Sequence, residues 1–204
     1  MIRFDNMPPE VIQAMCTPMH LILEPSSLPG PPTTTSGGLY LGSLTAVNDV
    51  DLLREHRITH IVQVIDIPWL PQAEKNGFTC YRIDIVDHSS ADLRPHLEAV
   101  CNHIDKILRN GQSVLVHCQQ VIATLCRSLF PSIDLILEPR QGVSRSAAVV
   151  IAYLIRNKGM SYDNAYDFLK RKRACIKPNP GFVKALQDWE SAWRKPTITR
   201  RFTS

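Results

Sequence analysis

Long hydrophobic runs are missing from this 204-residue chain: no stretch approaches the roughly eighteen apolar residues that a membrane-spanning helix needs. The opening Met1-Ile-Arg-Phe-Asp-Asn6 has no apolar core of the secretory-signal type. Cysteine is sparse, with six scattered residues, and none of Cys16, Cys80, Cys101, Cys126 or Cys175 stands at metal-ligand spacing from another. We therefore expect reduced thiols in a cytoplasmic or nuclear setting, no metal and no cofactor. Neither sign of charge dominates: 23 Lys and Arg face 19 Asp and Glu, for a net +4. That balance is too mild for a nucleic-acid footprint, although it helps to attract phosphorylated groups. The densest basic run, Lys170-Arg-Lys-Arg173, reads as a solvated helix face. Internal repeats are absent except for Leu-Ile-Leu-Glu-Pro, which occurs at 21–25 and again at 135–139.

Apolar residues make up 44% of the chain, enough for one real core, and the length suits one domain plus a tail. Met7 to Leu23 reads as a short helix with Pro8 and Pro9 at its start. Glu24 to Gly38 is rich in Pro, Ser, Thr and Gly and reads as a linker, so that residues 1–37 form an arm. Strands are expected at Leu39-Tyr-Leu41, Thr59 to Ile65, Phe78 to Ile85 and Gln112 to His117. Helices are expected near Val47 to His56, Arg94 to Asn110, Ser144 to Lys158, Ser161 to Arg173 and Pro180 to Arg194. Asp92 is the favoured cap of the helix that follows it. Alternating strands and helices imply an α/β fold with a central, mostly parallel twisted sheet flanked by helices. The domain spans 38–194, and Lys195 to Ser204 reads as a frayed tail.

The chemistry sits in a loop cut in two. Ser113-Val-Leu-Val-His-Cys-Gln-Gln120 ends a strand, and Gly142-Val-Ser-Arg-Ser-Ala-Ala148 opens a helix, with 21 residues between them. Joined directly, Cys118 and Arg145 are separated by five residues, Gln119, Gln120, Gly142, Val143 and Ser144. A strand–loop–helix of this kind aims backbone N–H groups and a helix N-terminus at one point and makes an anion site. A cysteine there is expected to have its thiolate favoured and its pKa lowered from about 8.5. Gly142 permits the tight turn. Arg145 adds a planar fork suited to two phosphate oxygens. Together these suit attack on a phosphate ester through a phosphocysteine.

The joined segment resembles the H-C-x5-R-S loop of cysteine-based protein phosphatases, in their dual-specificity branch. The similarity extends to Leu39-Tyr-Leu-Gly-Ser43, Gly159-Met-Ser161, Leu169-Lys-Arg-Lys-Arg173, Pro178-Asn-Pro-Gly-Phe182 and Trp189-Glu190. The resemblance implies Cys118 as nucleophile and Arg145 as phosphate clamp, with His117 helping to set the thiolate pKa. It implies Ser146 as the group that hydrogen-bonds the departing sulfur. It places Gln119, Gln120, Gly142, Val143, Ser144 and Arg145 around the phosphate. The family's general acid lies about thirty residues before the cysteine, where Tyr81-Arg-Ile-Asp-Ile-Val-Asp-His88 offers Asp87 and Asp84. Strand alternation favours Asp87 and leaves Asp84 as the alternative. The implied partner is a phosphorylated protein met by a monomer, with no membrane and no nucleic acid. Lipid phosphatases of the superfamily tend to place lysines in this loop, where this chain has Gln119, Gln120 and Val143.

The interval Val121 to Gln141 resembles nothing in that family, and eleven of its 21 residues are apolar. Every valine codon begins GT and glutamine can be encoded CAG, so the interval is compatible with an in-frame intron retained in the reading frame. Translated, it is expected to break the amide cradle, leaving either an impaired enzyme or a phosphoprotein-binding pseudophosphatase.

Overall fold

In a computed structural model of the chain, the described residues are 8–26, 35–66, 73–118 and 144–193. They form a five-stranded sheet in the order β1-β2-β5-β3-β4, with β1 (Met19–Leu23), β2 (Leu39–Ser43), β3 (Ile58–Val64), β4 (Thr79–Ile83) and β5 (Ser113–Cys118). β2, β3 and β4 run parallel to β5 or to its neighbour, and β1 joins the β2 edge antiparallel. β5 takes the centre because Val114, Leu115 and Val116 bury both of its faces, as the continuous apolar run of a parallel-sheet strand must. Ser43 of β2 and Val64 of β3 stand beside Cys118 in register. Cys118 therefore lies at the carboxyl edge of the sheet, where ligands of open α/β folds bind.

Alternation along the strands divides the core in two. Leu39, Leu41, Val114 and Val116 face one cluster, built with α4 (Arg94–Arg109), α5 (Arg145–Lys158), α6 (Tyr162–Lys172) and α7 (Pro180–Trp193). Tyr40, Leu115 and Ile61 face the other, with α2 (Leu44–Asn48), α3 (Val50–Glu55) and a 3-10 turn at Ala73–Asn76. α5 is buried from Arg145 through Ile155, the pattern of a helix enclosed on all sides. It ends at Gly159, whose φ of 67° is the left-handed C-terminal cap that favours glycine.

Four expectations need correction. The helix expected over Met7 to Leu23 is α1 (Pro9–Cys16) followed by strand β1. Pro18 cannot continue a helix and turns Thr17 away from helical geometry, and the free edge of β2 recruits the residues beyond. The segment read as an arm thus supplies a strand to the sheet. The single helix near Val47 to His56 is two, α2 and α3, divided at Asp49, whose carboxylate accepts from the Leu52 amide at 3.0 Å. The basic run is not one solvated face. Arg171 and Lys172 are exposed, but Arg173 is buried, donating to the Thr17 carbonyl at 3.0 Å and meeting His20 Nδ1 at 2.6 Å. Asp92 is not the N-cap of α4: that position is Leu93, with no side-chain cap, while Asp92 one residue earlier accepts from the Arg94 amide at 3.1 Å. Cys80, Cys101 and Cys175 are free thiols; Cys126 and the Cys16 side chain lie outside the described residues. The first Leu-Ile-Leu-Glu-Pro runs through β1, while the second lies outside the described residues. Among the described residues no helix is long and apolar enough to cross a membrane.

Candidate active site

Cys118 ends β5 and Ser146 stands in the first turn of α5, and their Sγ and Oγ atoms are 2.9 Å apart in the core. The two halves of the divided loop therefore meet in space. Arg145, beside Ser146, is also buried: Nη1 donates to Asp66 Oδ1 at 2.7 Å and to the Ile85 carbonyl at 3.0 Å. Its Nε is buried with no hydrogen-bond partner among the described residues. Of the remaining sequence-designated residues, Ser144 is described, whereas Gln119, Gln120, Gly142 and Val143 lie outside the described residues.

The two aspartate candidates part company. Asp84 is exposed and paired with Arg82 on the strand's own surface, with Nε to Oδ1 at 2.6 Å. Asp87 turns to the loop: its Oδ1 accepts from Ser144 Oγ at 2.8 Å and from Asn179 Nδ2 at 2.8 Å. Its negative charge is felt at Cys118.

Burial pushes the Cys118 thiol up, against the fall expected from the sequence. The Arg145 charge and the Ser146 hydrogen bonds pull the other way, and Asp87 adds to the rise. The expectation rested on loop amides, and residues 119–143 are outside the described residues, so their pull is not among these forces.

His117 is wholly buried, and burial holds its imidazole down to about 4, with Arg145 pushing in the same direction. The Cys118 backbone opposes this, although neither ring nitrogen makes a hydrogen bond of good geometry. His20 is likewise lowered to about 4, by burial and then by Arg173. A histidine lowered in the fold binds its proton more readily when unfolded, so the stability it confers is complete above its ordinary value of 6.5 and fades as pH falls towards 4. For His117 the decline approaches roughly 1.4 kcal/mol per pH unit. Urea melts from about pH 7 to about pH 5 are expected to show falling stability, with a shallower slope in His117→Asn. Equal slopes would contradict the assignment.

Two residues here escaped the sequence reading. Asp66 orients Arg145 from just beyond β3, and its only signal was a lone carboxylate closing a buried strand. Asn179 had a clearer one, since it lies in the Pro-Asn-Pro-Gly-Phe turn, but nothing in that turn told of Asp87.

A buried cysteine at the carboxyl edge of a parallel sheet, paired with the first turn of a buried helix that carries an arginine, defines the cysteine-based phosphatase class. The model of the dual specificity phosphatase catalytic domain matches residues 39–124 and 138–192, breaking off inside the interval between the loop halves. Dual specificity protein phosphatase 1 of Arabidopsis thaliana is 32% identical over 161 residues, covering 79% of this chain and 70% of the relative. The crystal structure of human DUSP28 superposes with a TM-score of 0.62 at 31% identity, over 82% of this chain and 97% of that one. Human tyrosine phosphatase-like serine/threonine/tyrosine-interacting protein superposes at 0.60 with 29% identity, over 76% of this chain and 92% of that one. The chain belongs to the dual specificity phosphatase family.

Proposed function

We propose that the protein hydrolyses phosphotyrosine and phosphoserine/threonine in proteins through a phosphocysteine at Cys118. The observation that carries this reading is the 2.9 Å contact between Cys118 Sγ and Ser146 Oγ, which joins the loop halves, with the Arg145 charge felt at the sulfur. The Cys118 thiolate attacks phosphorus in line, forming S–P as the ester P–O bond breaks. Asp87 gives its proton to the departing oxygen. Water then attacks phosphorus, Asp87 takes that water's proton, and the sulfur leaves into the hydrogen bond from Ser146. Arg145, held through Nη1 by Asp66 and Ile85, has its Nε donor left for a phosphate oxygen.

Asp87→Asn tests the acid. A general acid contributes about 100- to 10,000-fold, and most where the leaving group is a poor one. In the form lacking Val121 to Gln141, the variant is expected to lose activity on phenyl phosphate far more than on p-nitrophenyl phosphate. Equal losses would remove Asp87 from the role and return Asp84 to consideration.

The 21-residue interval favours a second reading for the chain as written, a phosphoprotein-binding module that does not turn over. The similarity to a protein described as tyrosine phosphatase-like supports it. Phosphopeptide binding by the full chain without phosphate release distinguishes it from the enzyme. The interval itself reads as an unspliced intron. Transcript sequencing across codons 120 to 142 is expected to find message in which these codons adjoin, and message that always carries the interval would end that reading.

A further inference from the structure

Between Ile83 and Arg94 the chain forms neither helix nor strand; Ile85 and Leu93 anchor it in the core, but His88, Ser89 and Ser90 are exposed, so the stretch that carries Asp87 between those anchors has little core of its own. What it packs against is the N-terminus of α7. Asn179 is the N-cap of that helix, its Oδ1 accepting from the Phe182 amide at 3.0 Å, with Pro180 preset at the first helical position. The same side chain reaches away from the helix and donates from Nδ2 to Asp87 Oδ1 at 2.8 Å. Its backbone N–H donates to Ser144 Oγ at 2.9 Å, and that hydroxyl donates to the same Asp87 oxygen at 2.8 Å. Asp87, Ser144 and Asn179 thus close a triangle.

Two further contacts seat the segment. A Cβ on Gly181 would run into the Ser89 carbonyl, so only glycine lets the segment lie flat on the turn. Arg94 spans the junction, pairing with Asp92 at 2.8 Å and with Asp188 of α7 at 3.8 Å.

We propose that the Pro178-Asn-Pro-Gly-Phe182 turn is a latch for the acid segment, with Asn179 as its positioning residue. Both donors converge on Oδ1, and Oδ2 of Asp87 accepts no hydrogen bond among the described residues. The latch therefore selects Oδ2 as the oxygen that carries the proton. Because Ser144 lies on the Arg145 side of the 21-residue interval, the latch fixes the acid to that half of the loop whatever precedes Gly142.

The catalytic meaning rests on Asp87 being the acid, but the latch can be read without turnover. Asn179→Asp is the discriminating variant. Its carboxylate still caps the Phe182 amide, yet it loses the donor and sets a second carboxylate against Asp87. In the full chain, hydrogen exchange over residues 84–93 is expected to quicken by at least about tenfold, with 113–118 unchanged. The swap Asp87→Asn with Asn179→Asp restores a donor–acceptor pair in reverse, and is expected to bring exchange back to within about threefold of the starting chain. Gly181→Ala should quicken the same segment by displacing Ser89. Unchanged exchange in Asn179→Asp, or no recovery in the swap, overturns the latch. If the latch holds while Asp87→Asn shows no leaving-group dependence, the acid assignment fails and the latch stands.

Discussion

Replacing Cys118 by serine is expected to stop hydrolysis of p-nitrophenyl phosphate, by at least about a thousandfold in the form lacking Val121 to Gln141, while leaving phosphate-ester binding in place. Serine preserves the shape at the end of β5 and fits the space beside Ser146, so the fold should survive. What is lost is the proposed nucleophile. A hydroxyl is scarcely ionised near neutral pH, and among the described residues His117 beside it is not poised as a base, being buried without a hydrogen bond of good geometry. Arg145 is anchored by Asp66 and Ile85 independently of the sulfur, so the proposed phosphate clamp should persist. Binding of a non-reacting phosphopeptide, measured calorimetrically beside the rate, separates the two effects. Residual turnover near that of the cysteine form would place the nucleophile elsewhere.

Removing Val121 to Gln141 is the second large effect. The proposed site residues are held by contacts that do not involve the interval: Cys118 with Ser146, Arg145 with Asp66, and Asp87 with Ser144. The fold should therefore tolerate either length, because loop closure costs only about 0.6 kcal/mol per doubling. Catalysis asks for more. The cradle requires Gln120 bonded directly to Gly142 so that consecutive amides aim at one phosphate, and displacement by about 1 Å can reduce rate roughly a hundredfold. The shortened chain is expected to exceed the full chain on p-nitrophenyl phosphate by at least about a hundredfold, with similar urea midpoints for both. Equal rates would contradict the divided-loop account.

How much was legible from sequence follows from how local each cause is. β5 could be read from its apolar run because both of its faces are buried, and the loop halves could be read because their meaning lies in residue order once they are joined. Asp87 was preferred to Asp84 by strand alternation, and the structure sets Asp87 against Ser144 while Asp84 pairs with Arg82 at the surface. Failures came where a distant partner decides. β1 looks helical until the β2 edge is there to receive it. Arg173 looks solvated until His20, 153 residues earlier, is folded against it. Asn179 was legible only as part of the Pro178-Asn-Pro-Gly-Phe182 motif, and its two contacts, with the Phe182 amide and with Asp87 92 residues away in sequence, come from the fold.

The proposed reaction passes through a covalent phosphocysteine at Cys118. Rapid acid quenching of the shortened protein during turnover of p-nitrophenyl phosphate, followed by peptide mass spectrometry, reads it directly. Phosphate is expected on the peptide that carries Cys118, absent from Cys118→Ser and accumulating when Asp87→Asn slows its hydrolysis. Steady turnover with phosphate on another residue, or with no loss of rate in Cys118→Ser, would contradict it.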